Sequence, residues 1–110
     1  MSLISPNELK KLISENPGLT IIDIRSPEEI SSGVIPNSKW MDVTSKSFMN
    51  DVTLLPKDKT YCVYCASGGR SSMVVPFMEM NGFTKVYELE GGIMAWENDG
   101  NTLVLPKEDK

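Results

Sequence analysis

The sequence predicts an α/β fold, a parallel sheet covered by helices, and three observations lead there. Short β-branched apolar runs alternate with segments that carry helix caps, the two kinds succeed one another in βαβα order, and no repeat or low-complexity stretch interrupts them.

The elements follow in turn. Ser5 before Pro6, with Glu8 three residues on, reads as an N-cap, an N1 proline and a capping box. They open a helix to about Glu15 with Leu9, Leu12 and Ile13 on one face. Pro17-Gly18 breaks the chain, and Leu19 to Ile24 is a buried strand. Ser26-Pro27-Glu28-Glu29 repeats the cap, proline and acidic first turn, so a short helix runs until Gly33 stops it. Ile35-Pro36-Asn37 is a turn, Lys39 to Val43 a strand, Ser45 to Met49 a helical turn, and Pro56 to Lys59 a polar link. Thr60 to Tyr64 has the strongest β-propensity in the chain and leads through Cys65-Ala66-Ser67-Gly68-Gly69-Arg70 into a helix from Ser71 to Asn81, closed by Gly82 and kinked at Pro76. Along that helix Met73, Phe77, Met78 and Met80 recur at near-helical spacing, as a core-facing stripe would. Lys85 to Leu89 is the last strand, and Gly91-Gly92 opens a short helix containing Met94, Ala95 and Trp96. Leu103 to Leu105 packs outside, and Lys107 to Lys110 is a solvated tail.

With 110 residues, the chain suffices for one core and is read as a single domain over 1–110, its motif-bearing part about 5–100. A formal charge of −4 without any basic run leaves no footprint for nucleic acid. No apolar run approaches the roughly 20 residues of a spanning helix, and Met1 to Lys11 lacks the order of a signal peptide, so no membrane is expected and the cytoplasm is the expected location. The chain has no His, and two Cys cannot alone close a tetrahedral thiolate site, so no metal or cofactor is expected.

A thiol is a nucleophile only as thiolate, which positive potential at a strand-to-helix junction favours. Cys65 occupies such a junction. Gly68 and Gly69 let the backbone curl so that successive N–H groups form an anion-binding nest around Sγ, and Arg70 adds a permanent charge. Cys62, three extended residues earlier, lies roughly 10 Å from Cys65, beyond disulfide reach, and reads as a buried strand residue.

This loop resembles the Cys-x-x-Gly-x-Arg active-site loop of rhodanese-like sulfurtransferases. Asp23-Ile24-Arg25-Ser26-Pro27-Glu28-Glu29 with Gly33-Val34-Ile35-Pro36-Asn37-Ser38 is similar to the family's first motif, and Leu89-Glu90-Gly91-Gly92 through Trp96 to its C-terminal one, so the likeness spans about Ser5 to Trp96. The resemblance implies a rhodanese-like domain around a five-stranded parallel sheet. It implies a Cys65 persulfide that takes sulfane sulfur from thiosulfate or a persulfide or polysulfide and passes it to cyanide, a thiol or a sulfur-relay protein. Ala66, Ser67, Gly68, Gly69 and Arg70 would cradle the outer sulfur and the donor.

Val34 stands where the family usually has His, and Asn37 where Gly is common; both are expected to tune a turn. Ala66 and Ser67 are neutral where thiosulfate-adapted loops often carry a cation. Asp23 and Arg25 share a strand end near Glu29, a candidate charge network bracing the loop, with Ser71 a further supporting residue. Two other readings stay open: a persulfide carrier or non-catalytic binding module on the same fold, and a Cys-dependent phosphatase or arsenate reductase. The latter is disfavoured because phosphatase loops place five residues between Cys and Arg, and here there are four.

Overall fold

A computed structural model describes residues 3–106. The order is β1 (Leu3–Ile4), α1 (Pro6–Glu15), β2 (Thr20–Asp23), α2 (Pro27–Ile30), β3 (Lys39–Trp40), α3 (Phe48–Thr53), β4 (Thr60–Tyr64), α4 (Ser71–Met80), β5 (Lys85–Leu89) and α5 (Gly92–Asn98). The five strands form one sheet in the order β1-β5-β4-β2-β3, with every pairing parallel. After β2 the chain moves outward to β3, and after β4 it moves the opposite way to β5. The carboxyl ends of β2 and β4 therefore flank a topological switch point, where open α/β sheets hold their sites.

Alternation along β4 assigns its side chains to two cores. Tyr61, Val63 and Cys65 join Ile22, Val75, Met78 and Val86 on one face of the sheet, while Cys62 and Tyr64 join Leu9, Ile21, Leu89 and Trp96 on the other. Neither tyrosine is more than 1% exposed. At roughly 2 kcal/mol for each fully buried large apolar side chain, these two layers are the main favourable contribution to folding.

The capping box before α1 is present as expected: Glu8 N–H donates to Ser5 Oγ at 3.1 Å and Ser5 N–H to Glu8 Oε1 at 2.8 Å. Several boundaries differ from the sequence reading. β1 escapes it because two residues carry no visible alternation. α2 stops at Ile30, and Gly33, at φ 135°, instead lies where a Cβ would stand 3.1 Å from Leu103. β3 spans Lys39–Trp40 only, although Met41 N–H still donates to the carbonyl of Asp23 at the end of β2 and Val43 N–H to that of Ile24 just beyond it. The helical turn expected over Ser45 to Met49 is α3, displaced to Phe48–Thr53. The expected stripe holds for Phe77 and Met78, which pack in the core, and is corrected for Met73 and Met80, which are 75% and 87% exposed because the inward face of α4 is Ser71, Val74, Val75 and Met78 at i, i+3, i+4, i+7. α4 runs through the exposed Pro76 to Met80. Trp40 packs at the sheet edge, its Nε1–H donating to Arg25 O at 2.8 Å, and Val104 bridges antiparallel to Val34. Asn37 has φ 67°, a left-handed conformation that glycine adopts without cost and asparagine tolerates. The tail from Lys107 lies outside the described residues.

Candidate active site

β4 delivers Cys65 to the carboxyl edge of the sheet, and the chain turns back over it before entering α4. Gly68, at φ 116°, makes this return and donates its N–H to Cys65 Sγ at 3.1 Å. Ser71, fully buried in the first turn of α4, brings Oγ to 3.5 Å from the sulfur. Burial of Cys65 raises its pKa, but its hydrogen bond with the Ser71 hydroxyl, which accepts from the thiol, and those from the amides of Ser71, Gly68 and Arg70 outweigh burial and hold the thiol below its ordinary value. Cys62, on the opposite face, has no such donors, and burial, with the negative charge of Glu88 adding to it, pushes it up to about 12. Both cysteines are free thiols.

The loop is held from behind by α5. Ile93 N–H donates to Cys65 O at 3.0 Å and Met94 N–H to Ala66 O at 3.1 Å, so the loop carbonyls are engaged away from the sulfur. This approach explains Gly92, where an added Cβ would stand 2.5 Å from Ala66 O.

Arg70 and Glu29 form a two-pronged ion pair, Nη1 to Oε1 at 2.7 Å and Nη2 to Oε2 at 2.8 Å. The Arg70 hydrogen bonds hold Glu29 down at about 2 against the opposing effect of burial, and Arg70 is itself raised. Asp23 and Arg25 lie deeper. Arg25 binds both Asp23 carboxylate oxygens at 2.8–3.1 Å, and donates to Gly33 O at 2.7 Å and Glu29 O at 3.3 Å. Tyr64 OH donates to Asp23 Oδ2 at 2.7 Å and accepts from Ile35 N–H at 3.1 Å. The expected network is thus two pairs in series. Asp23 and Arg25 anchor α2 and the turn after it; α2 presents Glu29, and Glu29 holds Arg70.

Cys65, Gly68, Arg70 and Ser71 come together around one sulfur, whereas Ala66 contributes its carbonyl to α5, and Ser67 and Gly69 stand exposed on the outer curve. Glu88 of β5 escapes the sequence reading: Ser71 Oγ donates to its Oε2 at 3.0 Å. The signal for it was a charged residue on the same strand face as Val86. A cavity of about 410 Å³ lies apart from the loop beside β3, lined by Trp40, Met41, Phe48 and Leu55 among others. Among the described residues no group of acidic and thiol side chains is arranged to hold a metal ion, and no helix is long and apolar enough to cross a membrane.

Residues 5–99 match the rhodanese-like domain family. The chain is 30% identical over 104 residues to a sulfurtransferase of Allochromatium vinosum, covering 94% of this chain and 95% of that one. It is 36% identical over 96 residues to a putative sulfurtransferase, YtwF, of Bacillus subtilis, covering 87% and 90%. The crystal structure of a rhodanese-related protein from Thermoplasma volcanium superposes with a TM-score of 0.84 at 31% identity, over 96% of this chain and all of that one. Sheet order, loop geometry and these likenesses agree, and the chain belongs to the rhodanese-like domain family.

Proposed function

We propose that the protein is a sulfurtransferase that carries sulfane sulfur as a persulfide on Cys65. The observation that carries this reading is a thiol whose sulfur receives the Gly68 amide at 3.1 Å and is held below its ordinary pKa by a ring of donors. The two relatives named above bear the sulfurtransferase name, and likeness to them supports the activity.

In the first half-reaction the Cys65 thiolate attacks the sulfane sulfur of a donor. A new S–S bond forms, the donor's bond to that sulfur breaks, and its electron pair leaves with sulfite or a thiolate. The amides that held the thiolate then hold the outer sulfur as it takes up negative charge. In the second half-reaction a thiophilic acceptor, cyanide or a thiol, attacks the outer sulfur and Cys65 departs as thiolate. The donor is thiosulfate or a persulfide-type compound, and a cytoplasmic site of action suits this chemistry because it keeps thiols reduced.

Intact mass of the reduced protein before and after each donor, followed by a cyanide chase, tests this directly. A one-sulfur gain that is absent in Cys65→Ser and is released as thiocyanate is expected. No gain from any donor in a folded protein with a free Cys65 would overturn it.

A further inference from the structure

Cys65 is linked to a carboxylate that the transfer step does not call on. Ser71 Oγ, 3.5 Å from the Cys65 sulfur, donates to Glu88 Oε2 at 3.0 Å, so the carboxylate stands one hydroxyl away from the reacting atom. The same oxygen lies 3.9 Å from where a Cβ on Gly68 would stand, directly beside the loop. Glu88 shares its strand face with Val86, and so faces the core layer that contains Cys65. Among the described residues the ion pairs are Asp23–Arg25 and Glu29–Arg70, and neither supplies Glu88 with a cation.

This alters the charge balance of the cradle. The loop's guanidinium is already paired with Glu29, and Glu88 adds a second carboxylate. The guanidinium that reaches the sulfur is thus already neutralised by Glu29, while the hydroxyl beside the sulfur is backed by a carboxylate that neither of these ion pairs supplies with a cation. Backbone amides can stabilise the single charge that develops on the outer sulfur, but a donor that brings a further full charge meets an excess of its own sign.

We infer that Glu88 is a specificity-determining residue of the Cys65 site, and that the site selects sulfane donors with at most one negative charge, organic persulfides foremost, over dianionic thiosulfate. The inference rests on the sulfur-transfer reading above. With a persulfide R–S–SH, the Cys65 thiolate bonds to the terminal sulfur and the S–S bond between that sulfur and the RS group breaks. The proton stays on that sulfur, and RS⁻ leaves with the electron pair. No oxidant or reductant is needed.

The test compares two donors that present the same sulfane sulfur on a sulfonyl centre and differ by one charge: thiosulfate and methanethiosulfonate. Single-turnover loading of the reduced full chain by each, read as a one-sulfur mass gain, yields a thiosulfate-to-thiosulfonate rate ratio, in which any change in the thiolate fraction of Cys65 cancels. Glu88→Gln keeps an acceptor for Ser71 and removes the charge. It is expected to raise the ratio about three- to tenfold, what one nearby charge supplies in a half-exposed site. Glu88→Asp keeps the charge and is expected to stay near the wild-type ratio. Glu29→Gln frees Arg70 and is expected to move the ratio upward as well, which guards against a folding defect at position 88. A ratio unmoved by Glu88→Gln, or moved equally by Glu88→Asp, overturns the inference while leaving sulfur transfer intact. Failure of both donors to load the wild-type protein overturns sulfur transfer itself.

Discussion

Cys62 and Cys65 stand three residues apart, are both fully buried, and yet are held in opposite states. Cys62 points into one core among Leu9, Leu89 and Trp96 and is pushed up to about 12. Cys65 ends the strand on the other face, where the amides of the returning loop meet its sulfur, and is drawn down. Burial alone would raise both; the charge of Glu88 on β5 raises Cys62 further, and only Cys65 has the loop amides that draw it down. The largest effect that tests this contrast comes from two single substitutions. Cys65→Ser is expected to abolish sulfur loading while leaving the fold intact, and Cys62→Ser to retain most of it. Equal loss in both would break the comparison. Alkylation sharpens it: Cys65 should react with iodoacetamide below the pH of an ordinary thiol, and Cys62 only once the protein unfolds.

The two ion pairs divide in a similar way. Asp23 is fully buried and Arg25 5% exposed, whereas Arg70 and Glu29 are about one-third exposed. Arg25→Ala strands a buried carboxylate and leaves the Gly33 carbonyl without its donor. Its expected cost is about 3–5 kcal/mol by chemical denaturation. Arg70→Ala is expected to cost no more than about 1 kcal/mol. Its effect should appear instead in slower loading of anionic donors, since it removes the one cation that touches the loop. Equal stability losses would show that the outer pair also holds the fold.

Much of this was legible in the sequence because it is written in local chemistry. Ser5, Pro6 and Glu8 announce α1, the β-branched run of Thr60 to Tyr64 announces the central strand, and the Cys65 to Arg70 loop announces the site. Features that depend on a distant element were not legible. Glu88 meets Ser71 only because β5 pairs with β4 and α4 crosses both, and Arg70 selects Glu29 across 41 residues. The short strands β1 and β3 owe their form to pairing with β5 and β2 rather than to any pattern of their own. Gly92 shows the limit best. Its sequence neighbours suggest only a helix start, whereas its φ of 61° and its contact with the Ala66 carbonyl make it the floor of the loop. Gly92→Ala should cost at least the roughly 1–2 kcal/mol of a left-handed backbone. By shifting the loop about an ångström it should also slow sulfur loading on the order of 100-fold. Normal loading in a folded variant would show that the loop does not depend on α5 for its shape.

The smallest expected effect concerns acid. Glu29 titrates at about 2 in the folded protein against 4.5 ordinarily, chiefly through its hydrogen bonds to Arg70. A carboxylate whose folded value is depressed binds protons more readily in the unfolded chain. Its contribution is therefore fully present above pH 4.5 and is lost as the pH falls toward 2. Solvent screening of a side chain 32% exposed keeps that contribution within about 1 kcal/mol. Urea midpoints of wild type and Glu29→Gln, followed from neutral pH into acid, should differ most at neutrality and converge through this window. Glutamine can still accept from Ser26 N–H, which donates to Glu29 Oε1 at 2.9 Å, so the variant preserves the helix cap and isolates the charge. A gap that stayed constant with pH would mean that the pairing with Arg70 adds nothing to stability. Glu29 would then support the loop purely by geometry, by where it holds the Arg70 side chain.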